Sequence, residues 1–204
     1  MIFNFYESQG ILIDAGPPSY YKNVMNLLNQ SGIKLIIITH GHYDHYGSLS
    51  RALKEVKWKG KVLAHEQDID FIKKGQNAPV KKVSQLPKLT AKFYMKGLTP
   101  LKNISAVKKD MSLYDDYGIE AEIIHTPGHT DGSISVVFKD KAYIGDLLRG
   151  SFIRSNKPSY PWAYQDLEKI KASIQKLSSF LDEDAVLYPG HGKPFKMKDA
   201  TALL

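Results

Sequence analysis

The stretch THGHYDHYG, residues 39–47, carries three of the chain's seven histidines together with an aspartate. It directly follows the apolar run KLIII, which predicts a buried strand. Burying three imidazoles and a carboxylate without partners would be costly, so these groups need a common partner. Imidazole and carboxylate together suit zinc, iron and manganese, and the stretch therefore predicts a strand that ends at a metal site. The candidate ligands here are His40, His42, Asp44 and His45.

Hydrophobic patterns along the chain predict strands that alternate with helices. The predicted strands lie at 2–16 (two short strands), 34–40, 61–65, 121–127, 133–138, 141–146 and 185–190. The predicted helices are Tyr20–Gln30, Ser48–Val56 and Asp166–Leu181. The proline-containing segment 72–110 is predicted to be loops with short pieces of regular structure. This alternation indicates an α/β or layered α+β fold.

The composition is that of a globular protein without a membrane span. The 204 residues fit one domain, 1–204, with a sizeable core, and 43% are hydrophobic and 24% charged. Neither a secretory signal nor an apolar stretch of about 20 residues is visible, so we expect a cytoplasmic protein. The chain has no cysteine, so histidine and carboxylate must hold any metal.

The net charge of +7 comes from one region. Between Phe71 and Lys109 the sequence has ten lysines and no Asp or Glu, and the remainder has more acidic than basic residues. Two interpretations stay open. The region is either a solvated insertion or a positive patch that steers an anionic substrate or surface towards the site.

Three further candidate ligands follow predicted strands. They are His129 in HTPGHTDGS, Asp146 in YIGD and His191 in YPGHG, each beside glycine or proline residues that permit tight turns. A tetrahedral site takes about four ligands, so the seven candidates suit two adjacent ions that share a carboxylate and leave room for a water. His125 and His65 also end predicted strands, and we expect both to have structural roles rather than to bind metal.

Taken in order, these motifs resemble those of the metallo-β-lactamase superfamily. The matching motifs are Asp14 in LIDAG, THGHYDH at 39–45, His129 in TPGHT, Asp146 in GD and His191 in PGHG. They span residues 11–192, and their combination is far more specific than any one of them. The resemblance implies an αββα sandwich, in which two mixed β-sheets are flanked by helices on both outer faces.

The resemblance also implies a role for each candidate ligand. A first divalent ion would be held by His40, His42 and His129, and a second by Asp44, His45 and His191, with Asp146 bridging the two. Asp14 would orient the ligand loop. We expect both ions to be zinc, with iron or manganese as alternatives.

The implied activity is hydrolysis by a hydroxide held between the ions, with Asp44 orienting it and passing its proton to the leaving group. The motifs TPGHTDGSIS, GDLL and PGHG look most like glyoxalase II, which hydrolyses hydroxyacylglutathione thioesters. Glyoxalase II continues into a helical region that helps to bind glutathione, whereas twelve residues follow Gly192 here. Thioesters, esters and lactones therefore all stay open as substrates.

Two alternatives to this hydrolase stay open. A phosphodiesterase or nuclease would combine the same ions with the lysine-rich segment, but no regular platform of stacking aromatics favours a nucleic acid partner. The other alternative is a single-iron oxidative member or a metal-binding protein without turnover. Di-iron oxidative members resemble H-x-E-x-D-H at this cluster, where this chain carries His42.

The substrate is expected to be a small molecule, and an anionic one suits the basic side chains near the motifs. The segment RGSFIRSNKPSYPWAY, 149–164, lies between Asp146 and the predicted helix at 166–181. Its candidates for substrate binding are Arg149, Arg154, Tyr160, Trp162 and Tyr164. A packed capping loop is the alternative interpretation of this segment.

Overall fold

The central strands are apolar on both faces because both faces are covered. In the computed structural model, which describes residues 3–30, 32–83 and 99–204, the strand Leu35–Ile37 is fully buried. Leu35 and Ile37 pack on one side of their sheet and Ile36 on the other, since successive side chains of a strand alternate.

The described strands form two large mixed sheets and one small pair. The strands are β1 Tyr6–Ser8, β2 Ile11–Ile13, β3 Leu35–Ile37, β4 Lys61–His65, β5 Lys82–Val83, β6 Ser105–Val107, β7 Met111–Ser112, β8 Glu122–His125, β9 Ile134–Val137, β10 Lys141–Gly145, β11 Ala163–Tyr164, β12 Val186–Pro189 and β13 Phe195–Lys196. The first sheet has the order β1-β2-β3-β4-β6 and is parallel except at β1. The second has the order β13-β12-β10-β9-β8-β7, in which β10 and β12 are parallel. β11 and β5 form the antiparallel pair.

Helices cover the outer face of each large sheet. They are α1 Tyr21–Gln30, α2 Tyr43–Tyr46, α3 Leu49–Val56, α4 Glu66–Lys74, α5 Tyr114–Tyr117, α6 Leu167–Leu177 and α7 Met197–Thr201, with a 3₁₀ turn at Pro18–Tyr20. Val24, Leu49 and Ile72, from α1, α3 and α4, pack against the first sheet. Ile170 and Ala200, from α6 and α7, pack against the second. Among the described helices, none has the length and apolar character needed to cross a membrane.

A third apolar cluster fills the space between the two large sheets. Ile11 and Leu63 of the first sheet pack there with Ile123, Val136 and Tyr143 of the second. The layers are therefore helices, sheet, sheet and helices. This confirms the αββα sandwich expected from the sequence.

The helix predicted at Asp166–Leu181 ends earlier than expected. Asp166 is its N-cap, and the carboxylate accepts hydrogen bonds from two backbone N–H groups of the first turn. The helix stops at Leu177, but Leu181 is buried in the same apolar cluster beyond it. Leu181 therefore continues the apolar spacing without continuing the helix.

Short elements account for most of the other differences. α4 continues to Lys74, and β5 and β6 lie within the segment 72–110 that was predicted to be mainly loops. Residues 84–98 of that segment lie outside the described residues. α5, β7, β13 and α7 were not predicted, because elements of two to five residues are too short for a periodic pattern to reveal.

The carboxyl ends of five strands deliver the candidate ligands. β2 and β3 run in one direction in the first sheet, and β8, β10 and β12 share one direction in the second. The residues that follow these ends are Asp14, His40, His129, Asp146 and His191. Rigid strands thus set the position of each loop that bears a ligand.

The packing of α6 gives a test of the fold. Ile170→Ala should lower the free energy of unfolding by about 2–5 kcal/mol, because it removes most of a fully buried side chain. Ile153→Ala is the matched control, since Ile153 is 85% exposed, and it should change stability by less than about 0.5 kcal/mol. Urea denaturation measures both, and equal losses would contradict this packing.

Candidate metal centre

Three histidine rings meet where the loop after β3 faces the loop after β8. Nε2 of His40 lies 3.0 Å from Nδ1 of His42. Nε2 of His129 lies 3.1 Å from the same His40 atom and 2.9 Å from Nδ1 of His42. These three residues, His40, His42 and His129, are called the first set.

In the first set, the ring nitrogens that point away from the contact between the three rings act as hydrogen-bond donors. The other ring nitrogen of His42 lies 3.0 Å from the carbonyl oxygen of Ala78, and that of His129 lies 2.7 Å from the carbonyl oxygen of Ala163. Carbonyl oxygens only accept, so both of these ring nitrogens carry the proton. In the neutral rings, Nδ1 of His42 and Nε2 of His129, which point at each other, therefore carry lone pairs instead of protons.

The outward nitrogen of His40 is fixed as a donor through Thr39. The hydroxyl of Thr39 donates to the Asp14 carboxylate at 2.8 Å, so it accepts from Nδ1 of His40 at 3.1 Å. Three lone pairs thus point at one another at hydrogen-bond distance with no proton between them. A cation is the partner that this arrangement suits, and neutral imidazole is the form that binds metals.

Burial keeps the first set neutral. It lowers the pKa of His40 well below its usual value, and the neighbouring His45 and His129 act in the same direction. Burial also lowers the pKa of His42, and it lowers that of His129 to about 3. The rings are therefore in the metal-binding form at neutral pH.

A second group of ligand atoms lies beside the first. Asp44, His45 and His191 place one ligand atom each within 4.8 Å of one another, and they are called the second set. Nε2 of His191 lies 3.3 Å from Oδ2 of Asp44. Burial alone would raise the pKa of Asp44, but the hydrogen bond from His191 and the charge of His45 outweigh it and lower this pKa.

Asp146 lies between the two sets. Its Oδ2 is 3.3 Å from Nε2 of His191 and 3.7 Å from Nε2 of His129, and its Oδ1 is 3.4 Å from Nε2 of His45. Within the described part of the chain, Asp146 Oδ1 and His45 Nε2 are buried without a hydrogen-bond partner. His45 donates from Nδ1 to Asp14, so its Nε2 and the Asp146 oxygen are both acceptors, and two buried acceptors that face the same space fit a cation as the missing partner.

The histidines of the second set favour the ionised form of Asp146. Burial would raise its pKa, but His191 and His45 outweigh this and hold the pKa well below its ordinary value. In return, Asp146 and Asp44 overcome the effect of burial on His191 and raise its pKa to about 10. The carboxylate of Asp146 is thus ionised and accessible to both sets of ligands.

Asp14 holds the ligand loop in place, as the sequence motif implied. Its carboxylate accepts from the backbone N–H and the hydroxyl of Thr39, each at 2.8 Å, and from Nδ1 of His45 at 2.7 Å. Asp14 has a φ of 59°, a left-handed conformation that is uncommon outside glycine. These three bonds connect β2 to the ligand loop and fix the tautomer of His45.

Gly190, in the motif PGHG, is required by close packing. A Cβ atom at this position would lie 2.5 Å from Oδ1 of Asp146 and 2.5 Å from Cε1 of His45. Any larger residue would therefore displace a ligand. This explains why glycine directly precedes His191.

The structure places His65 and His125 away from both sets. Their rings stack on each other, with centroids 3.9 Å apart and planes 7° apart. Nδ1 of His65 accepts from the backbone of Gln67 at the start of α4, and Nε2 of His125 lies 2.8 Å from the carbonyl oxygen of Asp131. Neither belongs to a group of candidate metal ligands among the described residues.

The five predicted substrate residues lie in different environments. The indole of Trp162 lies 6.1 Å from the ring of His191, and the guanidinium of Arg149 lies 4.6 Å from the Trp162 ring centre. Tyr160 and Tyr164 pack against the core beneath α6, and the Tyr160 hydroxyl donates to the carbonyl oxygen of Leu203. Arg154 is exposed. Trp162 thus lies beside the candidate ligand His191, and Arg149 lies next to Trp162.

Two contributors to the site were missed. Phe3 packs edge-on against the ring of His191, with ring centroids 5.5 Å apart. Asp68 of α4 accepts a hydrogen bond from the backbone of Gly41, in the middle of the ligand loop. A sequence signal existed for Asp68, because it lies four residues before the buried Ile72 and thus on the apolar face of its helix.

The sequence profile of the metallo-β-lactamase superfamily matches residues 3–191. A "Probable metallo-hydrolase" of Methanocaldococcus jannaschii is 29% identical over 191 residues, which cover 91% of this chain and 84% of that protein. The hydroxyacylglutathione hydrolase GloC of Haemophilus influenzae is 26% identical over 163 residues, which cover 78% of this chain and 69% of that protein.

Solved structures show the same fold. A protein crystallised in a di-iron-bound form superposes with a TM-score of 0.66 at 23% identity, covering 96% of this chain and 89% of its own. MEM-A1, a subclass B3 metallo-β-lactamase from a soil metagenome library, superposes with a TM-score of 0.61 at 25% identity, covering 92% and 72%.

The first set gives a test of metal binding. His129→Ala should lose one of two bound ions per chain, because it removes one of three converging lone pairs, and the protein should stay folded. His125→Ala is the matched control four residues away and should keep both ions. Elemental analysis after removal of free metal measures the content, and two retained ions in His129→Ala would contradict the assignment.

Proposed function

The chain belongs to the metallo-β-lactamase superfamily, and we propose that it is a dinuclear metal-dependent hydrolase of a small thioester, ester or lactone. The observation that carries the proposal is the arrangement of seven candidate ligand side chains in two adjacent sets of three, with Asp146 between them. At least two of the three candidate ligands in each set are imidazoles, and the carboxylate of Asp146 lies within reach of both sets. This arrangement supports two adjacent ions.

The proposed ligands of one ion are His40, His42 and His129, those of the other are Asp44, His45 and His191, and Asp146 is shared. When bound, such ions supply Lewis acidity, which acidifies water and polarises a carbonyl oxygen. Asp44 is the proposed catalytic residue, because its carboxylate can accept a proton and pass it to a leaving group. Asp14 and the carbonyl oxygens of Ala78 and Ala163 orient the rings.

Zinc is the proposed metal. Imidazole and carboxylate are common zinc ligands in proteins, which suits a chain that offers histidines and aspartates and has no cysteine. Iron is the alternative that a comparison supports, because one structural relative was crystallised in a di-iron-bound form. Aspartate and histidine ligands accept either metal.

The surroundings of His191 support an anionic substrate with an apolar portion. Phe3 and Trp162 both pack against the His191 ring, and Phe152 stacks on Trp162 with centroids 5.9 Å apart. The guanidinium of Arg149 lies over Trp162, and no ion pair to it occurs among the described residues. A carboxylate on the substrate is a suitable partner for this cation.

Thioesters are the favoured class within this proposal. Relatives named as hydroxyacylglutathione hydrolases match 78% and 85% of the chain at 26% and 28% identity. Their named substrate carries carboxylates and a thioester, which fits both the arginine and the metal centre. The subclass B3 metallo-β-lactamase among the structural relatives makes β-lactams a further class to measure.

The first experiment is hydrolysis of S-lactoylglutathione by zinc-loaded protein. A measurable rate is expected, and Asp146→Asn should abolish nearly all of it, because the shared ligand is lost. Asp140→Asn is the matched control, an exposed aspartate just before the same strand, and it should keep the full rate.

The same assay on lactones, simple esters, a β-lactam and a phosphodiester separates the alternatives. A rate on the thioester that depends on Asp146 supports the thioesterase. An Asp146-dependent rate on the phosphodiester alone would overturn it in favour of a phosphodiesterase. Bound zinc without a rate on any substrate would overturn the proposed enzyme activity.

Arg149→Met tests how the substrate is recognised. We expect KM for an anionic thioester to rise about 10-fold or more with little change in kcat, because a charged hydrogen bond contributes roughly 1.5–3 kcal/mol. Lys157→Met removes a charge from an exposed position of the same loop and should leave KM unchanged. An equal rise in both variants would show a general effect of charge instead of a contact with Arg149.

A further inference from the structure

Asp68 is a buried carboxylate in the first turn of α4. It is 1% exposed and lies beside Ile69 and Ile72 on the side of the helix that packs inward. A carboxylate in such surroundings is costly unless its oxygens are hydrogen-bonded. Among the described residues, no lysine or arginine forms an ion pair with it.

Its partners are two loops that come from different sheets. Oδ2 accepts from the backbone N–H of Gly41 and from the hydroxyl of Thr130, each at 2.7 Å. Oδ1 accepts from the backbone N–H of Gly132 at 3.1 Å. All the partners that hold Asp68 thus belong to loops that carry ligands.

The partners lie next to every member of the first set. Gly41 stands between His40 and His42, and Thr130 directly follows His129. Gly132 allows this approach, since a Cβ at that position would lie 2.5 Å from Cγ of Asp68. His40 and His129 are 89 residues apart in the sequence. The side chain of Asp68 bonds to both of the loops that carry them.

We infer that Asp68 is a positioning residue, which holds the His40–His42 loop and the His129 loop at the separation that the first ion requires. The inference rests on the proposed metal centre. The described hydrogen bonds of Asp68 go to residues beside the three rings and not to the rings themselves, so it acts through those residues. The structure describes no hydrogen bond from Asp68 to the second set, so its effect should be confined to the first set.

Asp68→Asn keeps the size of the side chain and removes one acceptor. The new NH₂ group would face at least one of the three donors, so at least one connection between the loops is lost. Outer partners of metal ligands typically change metal affinity by about 10- to 100-fold. We therefore expect the zinc affinity of the first set to fall about 10-fold or more.

The experiment measures zinc affinity by competition with a chromophoric chelator in two backgrounds. His191→Ala weakens the second set, so the remaining ion reports on the first set. His129→Ala weakens the first set, so the remaining ion reports on the second. Asp68→Asn should lower the affinity at least 10-fold in the His191→Ala background and leave it unchanged in the His129→Ala background.

Asp70→Asn is the matched control, because it makes the same change at an exposed position of the same helix, and it should have no effect in either background. Thr130→Val removes one donor and should weaken only the first set, even where Asp68→Asn does not fold. An equal loss in both backgrounds, or no loss in either, would overturn the positioning role and leave the metal centre intact. Absence of zinc binding in the unmodified chain would overturn the metal centre itself.

Discussion

Three imidazole lone pairs that meet at 2.9–3.1 Å repel one another unless a cation lies among them, and the architecture around them maintains this contact. Each ring is held by a partner on its far side, and those partners come from separate parts of the chain. Ala78 follows α4, Ala163 begins β11, and Thr39 ends the β3 segment. The contact is thus imposed by the fold, because no local sequence could bring these groups together.

The packing of the strands around this polar cluster resists the repulsion between its groups. The ligand loops leave the ends of strands whose side chains are buried on both faces, so small displacements of the loops are resisted by close packing. Asp14 adopts a left-handed backbone conformation to reach Thr39 and His45 together. Such strain persists where the surrounding structure determines the conformation, and it is typical of functional sites.

The sequence indicated the seven candidate ligands because each of them follows an apolar strand at a local motif, and the structure brings them together. It predicted the stacked pair of His65 and His125 only as residues without a metal-binding role, since the stacking depends on how β4 of one sheet lies against β8 of the other. Asp68 and Phe3 were missed for a similar reason. The partners of Asp68 lie 27 to 64 residues away, and no pattern within one helix encodes them. The ends of short elements were missed because tertiary packing decides them.

The two ligand sets differ in how they are supported, and this difference bears on the substrate. The first set is held by two backbone carbonyls, by the Thr39 hydroxyl and by the Asp68 carboxylate that connects its loops. In the second set His191 faces the carboxylates of Asp44 and Asp146, and its ring is flanked by aromatic side chains. A substrate that packs on these aromatic rings would approach from the second set. The residues that distinguish one substrate from another should therefore lie around His191, whereas those that fix the metal geometry lie around the first set.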